Sequence, residues 1–308
     1  MITGVALLIG VLATATVGHR PLRRLLNANV DARIVLCCWV LTIGSVIATS
    51  VVVIAVLALP DHGGVQQLLH KIGRCWSDLW HGSFPRLEQG AAGLVTLIFL
   101  LLGARLVRGA VELRRDRRRR REDVTFALAV SAPAGSASVH WLDHTQPVAF
   151  SVPGRPGVVA MSRNLQHRLS ARALAATLEH EHAHLRGRHH LIVDLVDAAG
   201  AWLTKVGLFR HGRTDVRELV EMAADNAAVR RYGTASVAEA LRVMTAHGPA
   251  GALAMADTAV ARRLRRLEGD TPPKLARTSY LWCVAATAAV PMLPTAAGVA
   301  LLALAGCV

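Results

Sequence analysis

Four apolar stretches dominate the hydropathy pattern and predict membrane helices. Residues 2–17, 34–59 and 280–305 contain no charged side chain, and 91–107 contains only Arg105. A helix rises ~1.5 Å per residue, so about 20 apolar residues cross the ~30 Å hydrocarbon core of a bilayer. A cleaved secretory signal is the alternative for 2–17, but such a signal carries its positive charge before the apolar run, and here the arginines follow it. We therefore predict four transmembrane helices.

Between the third and fourth stretches, residues 123–275 mix polar and apolar positions as a globular domain does. Alternating, β-rich runs predict short strands at 124–130, 138–141, 147–152 and 158–162. A turn-forming Pro/Gly segment, 153–157, separates the last two runs. We expect these strands to form a small sheet beside the helices of the domain.

Capping residues predict where the helices of this domain begin and end. Ser170 is placed to cap a helix that ends near Gly187, and Thr214 is placed to cap another at about 215–231. The intervening stretch 191–208 is largely apolar but carries three charged side chains. Charges inside a bilayer are costly, so we expect a buried or membrane-grazing helix there.

Composition agrees with membrane insertion. Hydrophobic residues make up 53% of the 308 residues, and the mean hydropathy is +0.38, which is more apolar than an ordinary soluble domain. The cysteines follow no regular spacing and include no C-x-x-C motif; they are Cys37, Cys38, Cys75, Cys283 and Cys307. Neither a disulfide framework nor a thiolate zinc site is expected.

A basic segment follows the third apolar stretch. Residues 105–122 hold nine arginines and three acidic side chains, in a chain of formal net charge +14. Nucleic-acid binding is one interpretation, but no aromatic residues are interleaved with the arginines. Because the segment adjoins a membrane helix, we expect Arg105–Arg121 to contact anionic lipid, and 108–122 to be a juxtamembrane segment.

Basic residues also indicate the orientation, since Arg and Lys accumulate on the cytoplasmic side of a membrane. The 105–122 segment and the 18–33 loop, which holds four arginines, are both expected inside. The prediction is a multi-pass cell-membrane protein with three helices within 1–107 and a cytoplasmic domain at 123–275. The loop 60–90 and both termini are expected outside.

A histidine-rich stretch within the predicted cytoplasmic domain carries candidate chemistry. His180, Glu181 and His184 form the pattern H-E-x-x-H. Positions i and i+4 share one helix face, so both imidazoles can reach one zinc ion. Glu181 would then act as general base toward a zinc-activated water molecule. The alternative for these residues alone is a solvated His/Arg helix end.

A catalytic zinc needs a third protein ligand. Glu221 and Asp225 lie four residues apart on one predicted helix; Glu221 can complete the coordination, and Asp225 can hold a ligand imidazole through its second ring nitrogen. The alternative is an exposed acidic face, to which Glu218 fits more readily. Arg263 or a nearby histidine is a candidate oxyanion donor, and a structural role is the alternative for Arg263. The remaining imidazoles are expected in solvent: His182, His189 and His190.

The domain resembles the protease domain of BlaR/MecR-type membrane metallopeptidases, which are gluzincin relatives of HtpX and the CAAX-processing protease. The resemblance covers roughly 124–270 and rests on Phe150–Gly154, Val158–Ser162, Leu169-Ser170 and His180–Leu185. It implies that Glu221 is the third zinc ligand, in an E-x-x-x-D motif ending at Asp225. It also matches an R-I-x-x-L element with residues 263–267.

The resemblance implies a mainly α membrane protein with an α+β zincin-type domain between spans 3 and 4 and one zinc ion per chain. It implies a zinc metalloendopeptidase that cleaves a BlaI-type repressor or itself. An HtpX-like quality-control protease and a non-catalytic signalling scaffold are the alternatives.

Three departures from the family pattern affect these expectations. The helix that carries H-E-x-x-H is called the active helix below. An aspartate expected after it is replaced by His189 or His190, and Ala173 stands where an acidic residue is usual at its start. The β-lactam sensors also carry a penicillin-binding domain after the last span. This sequence shows none, so antibiotic binding is not expected to carry over.

Overall fold

The computed structural model describes residues 2–27, 30–58, 139–154, 156–246 and 253–269, with isolated positions between 97 and 119 and at 292 and 296. Helices α1 (Ile2–Val17), α2 (His19–Asn27) and α3 (Ala32–Ala58) come first. Some predicted elements lie outside the described residues, either completely or except for isolated positions. They are the loop 60–90, the spans 91–107 and 280–305, the basic segment 108–122 and the strand 124–130.

Helix α3 is long and apolar enough to cross a membrane over Ala32–Val53, and within the described residues no other helix meets that criterion. Helix α1 has the predicted bounds but only 16 residues. The first half of α3 is enclosed by protein, since Val35, Trp39 and Ile43 have no exposed surface. The candidate span is therefore also part of a protein core.

A three-stranded mixed sheet precedes the active helix. It consists of β1 (Val139–Leu142), β2 (Ala149–Val152) and β3 (Val158–Ser162), in the order β1-β3-β2. β1 runs parallel to β3, and β2 runs antiparallel to it, with Phe150 opposite Ala160. The central strand β3 is buried, as its apolar composition favours. The predicted small sheet is confirmed for these three strands.

The helices that follow are α4 (Asn164–Arg168), α5 (Ala171–Arg186), α6 (His189–Trp202), α7 (Gly207–Tyr232), α8 (Thr234–Thr245) and α9 (Leu253–Glu268). As predicted, Ser170 caps α5, where its Oγ accepts a hydrogen bond from the Ala173 N–H at 3.2 Å, and Gly187 ends the helix. Ala173 stands where an acidic residue is usual at the start of this helix, and Glu239 of α8 supplies a carboxylate there instead. Glu239 accepts hydrogen bonds from the Ser170 N–H and Oγ–H at 2.8 and 2.9 Å.

The predicted helix start at Thr214 is wrong. Helix α7 begins at Gly207, and α6 ends at Trp202, so the stretch 191–208 is divided between two helices. Leu208 and Phe209 are buried in a cluster that also contains residues of α1, α2 and α3. Burial of these residues therefore extends the helix past a local capping signal, as tertiary packing commonly does.

Helix α7 is the central element of the described structure. It packs against α5 on one side and against α3 and α6 on the other. Val216, Leu219 and Met222 lie in the same apolar cluster as Trp39 of α3. The helix that presents Glu221 and Asp225 is thus packed directly against the candidate membrane span.

Candidate metal centre

Helix α5 places the two histidines of the motif side by side. The Nε2 atoms of His180 and His184 are 3.1 Å apart, and their side chains are 14% and 16% exposed. The i, i+4 spacing on a regular helix produces this arrangement, as predicted.

Glu221 of α7 lies opposite the two imidazoles and completes a triangle. Its Oε2 is 3.4 Å from His180 Nε2, and its Oε1 is 3.6 Å from His184 Nε2. Zinc binds such atoms at about 2.0–2.2 Å in a tetrahedron, which requires ligand atoms about 3.3–3.6 Å apart. Within the described residues, these three form the one His/Cys/Asp/Glu group with ligand atoms close enough to share a metal ion. The donor set therefore fits zinc.

Asp225 supports His180 from behind. Its Oδ1 is 3.0 Å from His180 Nδ1, so the carboxylate accepts the hydrogen of the nitrogen that faces away from the triangle. Such a contact fixes the tautomer and orientation of a ligand imidazole. The structure thus places Asp225 beside a candidate ligand histidine.

Arg263 holds two carboxylates of α7, those of Glu221 and Asp225. Its Nε and Nη2 donate to Asp225 at 2.7 and 2.8 Å, and its Nη1 lies 3.2 Å from Glu221 Oε2. With all of these nitrogens directed at carboxylates and only 12% of the side chain exposed, the guanidinium holds the ligand set. The geometry favours this structural role over the oxyanion role.

The nearby carboxylates give the two ligand histidines different pKa values. Burial disfavours the charged form of His180, but hydrogen bonds to Asp225 and Glu221 outweigh it and raise its pKa to about 10. Burial dominates at His184 and lowers its pKa to about 4. Burial opposes ionisation of Glu221, yet His180 and Arg263 lower its pKa to about 2. The third ligand is therefore ionised at neutral pH, as a metal ligand must be.

Glu181, the acid of the motif, is buried, with 8% of its surface exposed. Burial, together with the charge of Glu221, raises the pKa of Glu181, while His180 and hydrogen bonds to Ser151 oppose the shift. Ser151 belongs to β2, at the edge of the sheet. No role was predicted for Ser151 from the sequence, and its place in the strand next to the active helix is the signal that indicates one.

The prediction that His189 is solvated is wrong. His189 is 9% exposed, and its Nδ1 lies 3.2 Å from Nδ1 of His184. The turn between α5 and α6 folds its ring back onto the active helix, which spacing alone does not indicate. His182 and His190 are partly exposed.

The arginine-rich helix α9 binds the acidic face of α7. Arg262 lies 3.0 Å from Glu218, whose side chain is only 9% exposed, so the predicted assignment of Glu218 to an exposed acidic face is wrong. Arg266 donates to the Val30 carbonyl at 2.9 Å, just before α3. The sequence marked these arginines only as a matching motif, and the structure gives them partners.

Comparisons with known proteins identify a family. The family model described as Peptidase family M48 matches residues 114–270, just over half of the chain. That range contains the sheet, the active helix and the arginines of α9. No curated protein and no solved structure matches the chain.

Proposed function

Because the chain belongs to peptidase family M48, we propose that it is an integral membrane zinc endopeptidase whose metal is held by His180, His184 and Glu221. The observation that carries this proposal is the convergence of the three side chains: the two histidine Nε2 atoms are 3.1 Å apart, and the two Glu221 oxygens lie 3.4 Å from His180 Nε2 and 3.6 Å from His184 Nε2. Glu221 keeps 39% of its side chain exposed. This exposure leaves room for water and a peptide beside the ligand set.

The residues around the ligand set have different roles in the proposed reaction. Zinc, when bound, supplies a Lewis acid that acidifies water and polarises the peptide carbonyl. Glu181 accepts the proton of the attacking water and returns it to the leaving amine, and its raised pKa makes it a better proton carrier near neutral pH. Ser151 acts on the Glu181 carboxylate and lowers its pKa, and Asp225 keeps the His180 ring in place.

Substitution of Glu181 by Gln tests this assignment. The side chain keeps its size but no longer carries a proton, so Glu181→Gln should bind zinc like the wild type and lose peptide-bond cleavage by at least about 100-fold. Zinc content and cleavage of the protein itself or of a partner are measured in the same detergent-solubilised preparation. Unchanged cleavage would refute the role of Glu181, and no zinc in the wild-type protein would favour the non-catalytic scaffold.

The membrane topology is part of the proposal. The apolar helix α3 supports a membrane location, and the arginines near Arg105–Arg121 and in the 18–33 loop support a cytoplasmic peptidase domain. In this arrangement both termini and the 60–90 loop lie outside. In a variant without the native cysteines, single cysteines placed at positions 66 and 167 test this with a membrane-impermeant reagent, which should modify only the first from outside intact cells.

The proposed substrate is a BlaI-type repressor or the protease itself, as the resemblance to BlaR/MecR-type enzymes implies. Quality control of damaged membrane proteins, as by HtpX, is the alternative. Crosslinking of substrates retained by Glu181→Gln, followed by mass spectrometry, separates them. A single DNA-binding protein or the chain's own peptides supports regulation, whereas many unrelated membrane proteins support quality control.

A further inference from the structure

The two ligand histidines have different hydrogen-bond partners: His180 contacts the carboxylate of Asp225, whereas His184 contacts the ring of His189. Nδ1 of His184 lies 3.2 Å from Nδ1 of His189, and the two rings meet edge to face at 87° with centroids 5.0 Å apart. The other nitrogen of His184, Nε2, is part of the ligand triangle. Both ring nitrogens of His184 are therefore engaged.

Hydrogen-bond chemistry fixes the direction of this contact. A histidine that offers the Nε2 lone pair to a metal carries its proton on Nδ1. Nδ1 of His184 is then the donor, and Nδ1 of His189 is the acceptor. His189 must in turn be neutral, with its own proton on Nε2.

The turn between α5 and α6 is shaped around the His189 ring. A Cβ atom at Gly187 would lie 2.4 Å from Nε2 and 2.6 Å from Cδ2 of that ring, so the position requires glycine. Arg188 has φ 47° and is the one non-glycine residue with positive φ in the described part of the chain. A non-glycine residue in this region is strained and needs support from its surroundings.

We propose that His189 is a positioning residue for the metal centre, which fixes the tautomer and the orientation of His184. This inference rests on the proposed zinc function. It makes the two ligand imidazoles unequal: His180 is held by the charged carboxylate of Asp225, and His184 by a neutral ring. The neutral partner orients His184 without adding negative charge to a site that already holds Glu181, Glu221 and Asp225.

Two substitutions separate the hydrogen bond from simple packing. His189→Leu fills the space without an acceptor, and His189→Asn places an amide oxygen close to the position of Nδ1. Loss of such a partner typically weakens metal binding about 10- to 100-fold. We expect that loss for His189→Leu and a loss of no more than about threefold for His189→Asn. His190→Leu, which removes the adjacent imidazole, should bind zinc like the wild type.

The measurement is zinc affinity by chelator competition on the full-length detergent-solubilised protein, with the absorption spectrum of the cobalt-substituted forms as a second readout. His189→Leu should also alter the cobalt spectrum, and His189→Asn should restore it. Wild-type affinity in His189→Leu would overturn the inference alone, as would equal losses in the Leu and Asn variants. If His189→Leu does not fold, a loss above about threefold in His189→Asn overturns it. Absence of zinc from the wild type would overturn the proposed function as well.

Discussion

Arg263 and Asp225 form a two-point ion pair across the interface of α9 and α7. The guanidinium donates from Nε to Oδ2 at 2.7 Å and from Nη2 to Oδ1 at 2.8 Å. Asp225 Oδ1 also lies 3.0 Å from His180 Nδ1. Arg263, which is 38 positions from Asp225 in the sequence, thus influences through that carboxylate how firmly His180 is held.

Removal of the Arg263 charge should destabilise the protein and weaken zinc binding. Arg263→Met leaves the buried Asp225 without its arginine partner, which costs roughly 3–5 kcal/mol of unfolding free energy. Arg263→Lys keeps the charge but cannot form both bonds, so its loss should be intermediate. Chemical unfolding and zinc affinity provide the measurements, with Arg265→Met, at an exposed position of the same helix, as the control. Wild-type stability and zinc affinity in Arg263→Met would contradict the role of Arg263 in holding Asp225.

Zinc should stabilise the folded protein only when the third ligand is present. A ligand at 100 times its dissociation constant adds about 2.7 kcal/mol to the stability of a protein that binds it only when folded. We expect zinc to raise the melting temperature of the chelator-stripped wild type and not that of Glu221→Gln. Glu218→Gln, one turn earlier on the same helix and paired with Arg262, should respond like the wild type. Equal responses of Glu221→Gln and wild type would remove Glu221 from the ligand set.

Ser151 should affect turnover and leave metal binding unchanged. A hydrogen bond to a charged group contributes about 1.5–3 kcal/mol, which corresponds to roughly 10- to 100-fold in rate if it acts in the transition state. Ser151→Ala should lower kcat by that amount with zinc content intact, and Ser151→Thr, which keeps the hydroxyl in a β-strand, should restore most of it. A loss of zinc in Ser151→Ala would assign Ser151 to the fold rather than to Glu181.

Features that depend on residues close together in the sequence could be predicted from short sequence patterns. The i, i+4 spacing of His180 and His184 leads directly to the 3.1 Å contact of their nitrogens. Ser170 caps its helix because an N-cap acts within four residues. Placement of Glu221 opposite the histidines was predictable from a second short motif, because α7 supplies both Glu221 and Asp225 from one face.

Features that depend on contacts between distant segments were not predictable. Thr214 is a good cap, but burial of Leu208 and Phe209 against α3 continues the helix through it. His189 comes directly after Arg188, whose positive φ lies in the turn between α5 and α6, and its ring returns to His184. Periodicity carries no information about either event.

Close contact between α7 and α3 depends on Gly212. A Cβ atom there would lie 3.2 Å from the Trp39 ring and 3.5 Å from Ile43. Both are fully buried, so neither can move without disturbing its other contacts. Larger side chains in a packed core typically cost 1–3 kcal/mol. Gly212→Val should therefore lower the unfolding free energy by about that amount, and Trp39→Leu in the same chain should recover part of the loss.

The same substitution tests whether the candidate span and the metal centre are coupled. Gly212 lies on the helix that carries Glu221, so displacement of α7 from α3 should also reduce zinc affinity. Gly44→Ala in α3 is the matched control, since a Cβ atom at Gly44 meets no neighbour within 4 Å. That variant should retain wild-type zinc affinity and, because alanine favours the helix, at least wild-type stability. If Gly212→Val loses stability while zinc affinity is unchanged, the packing of α3 supports the fold without influencing the ligand set.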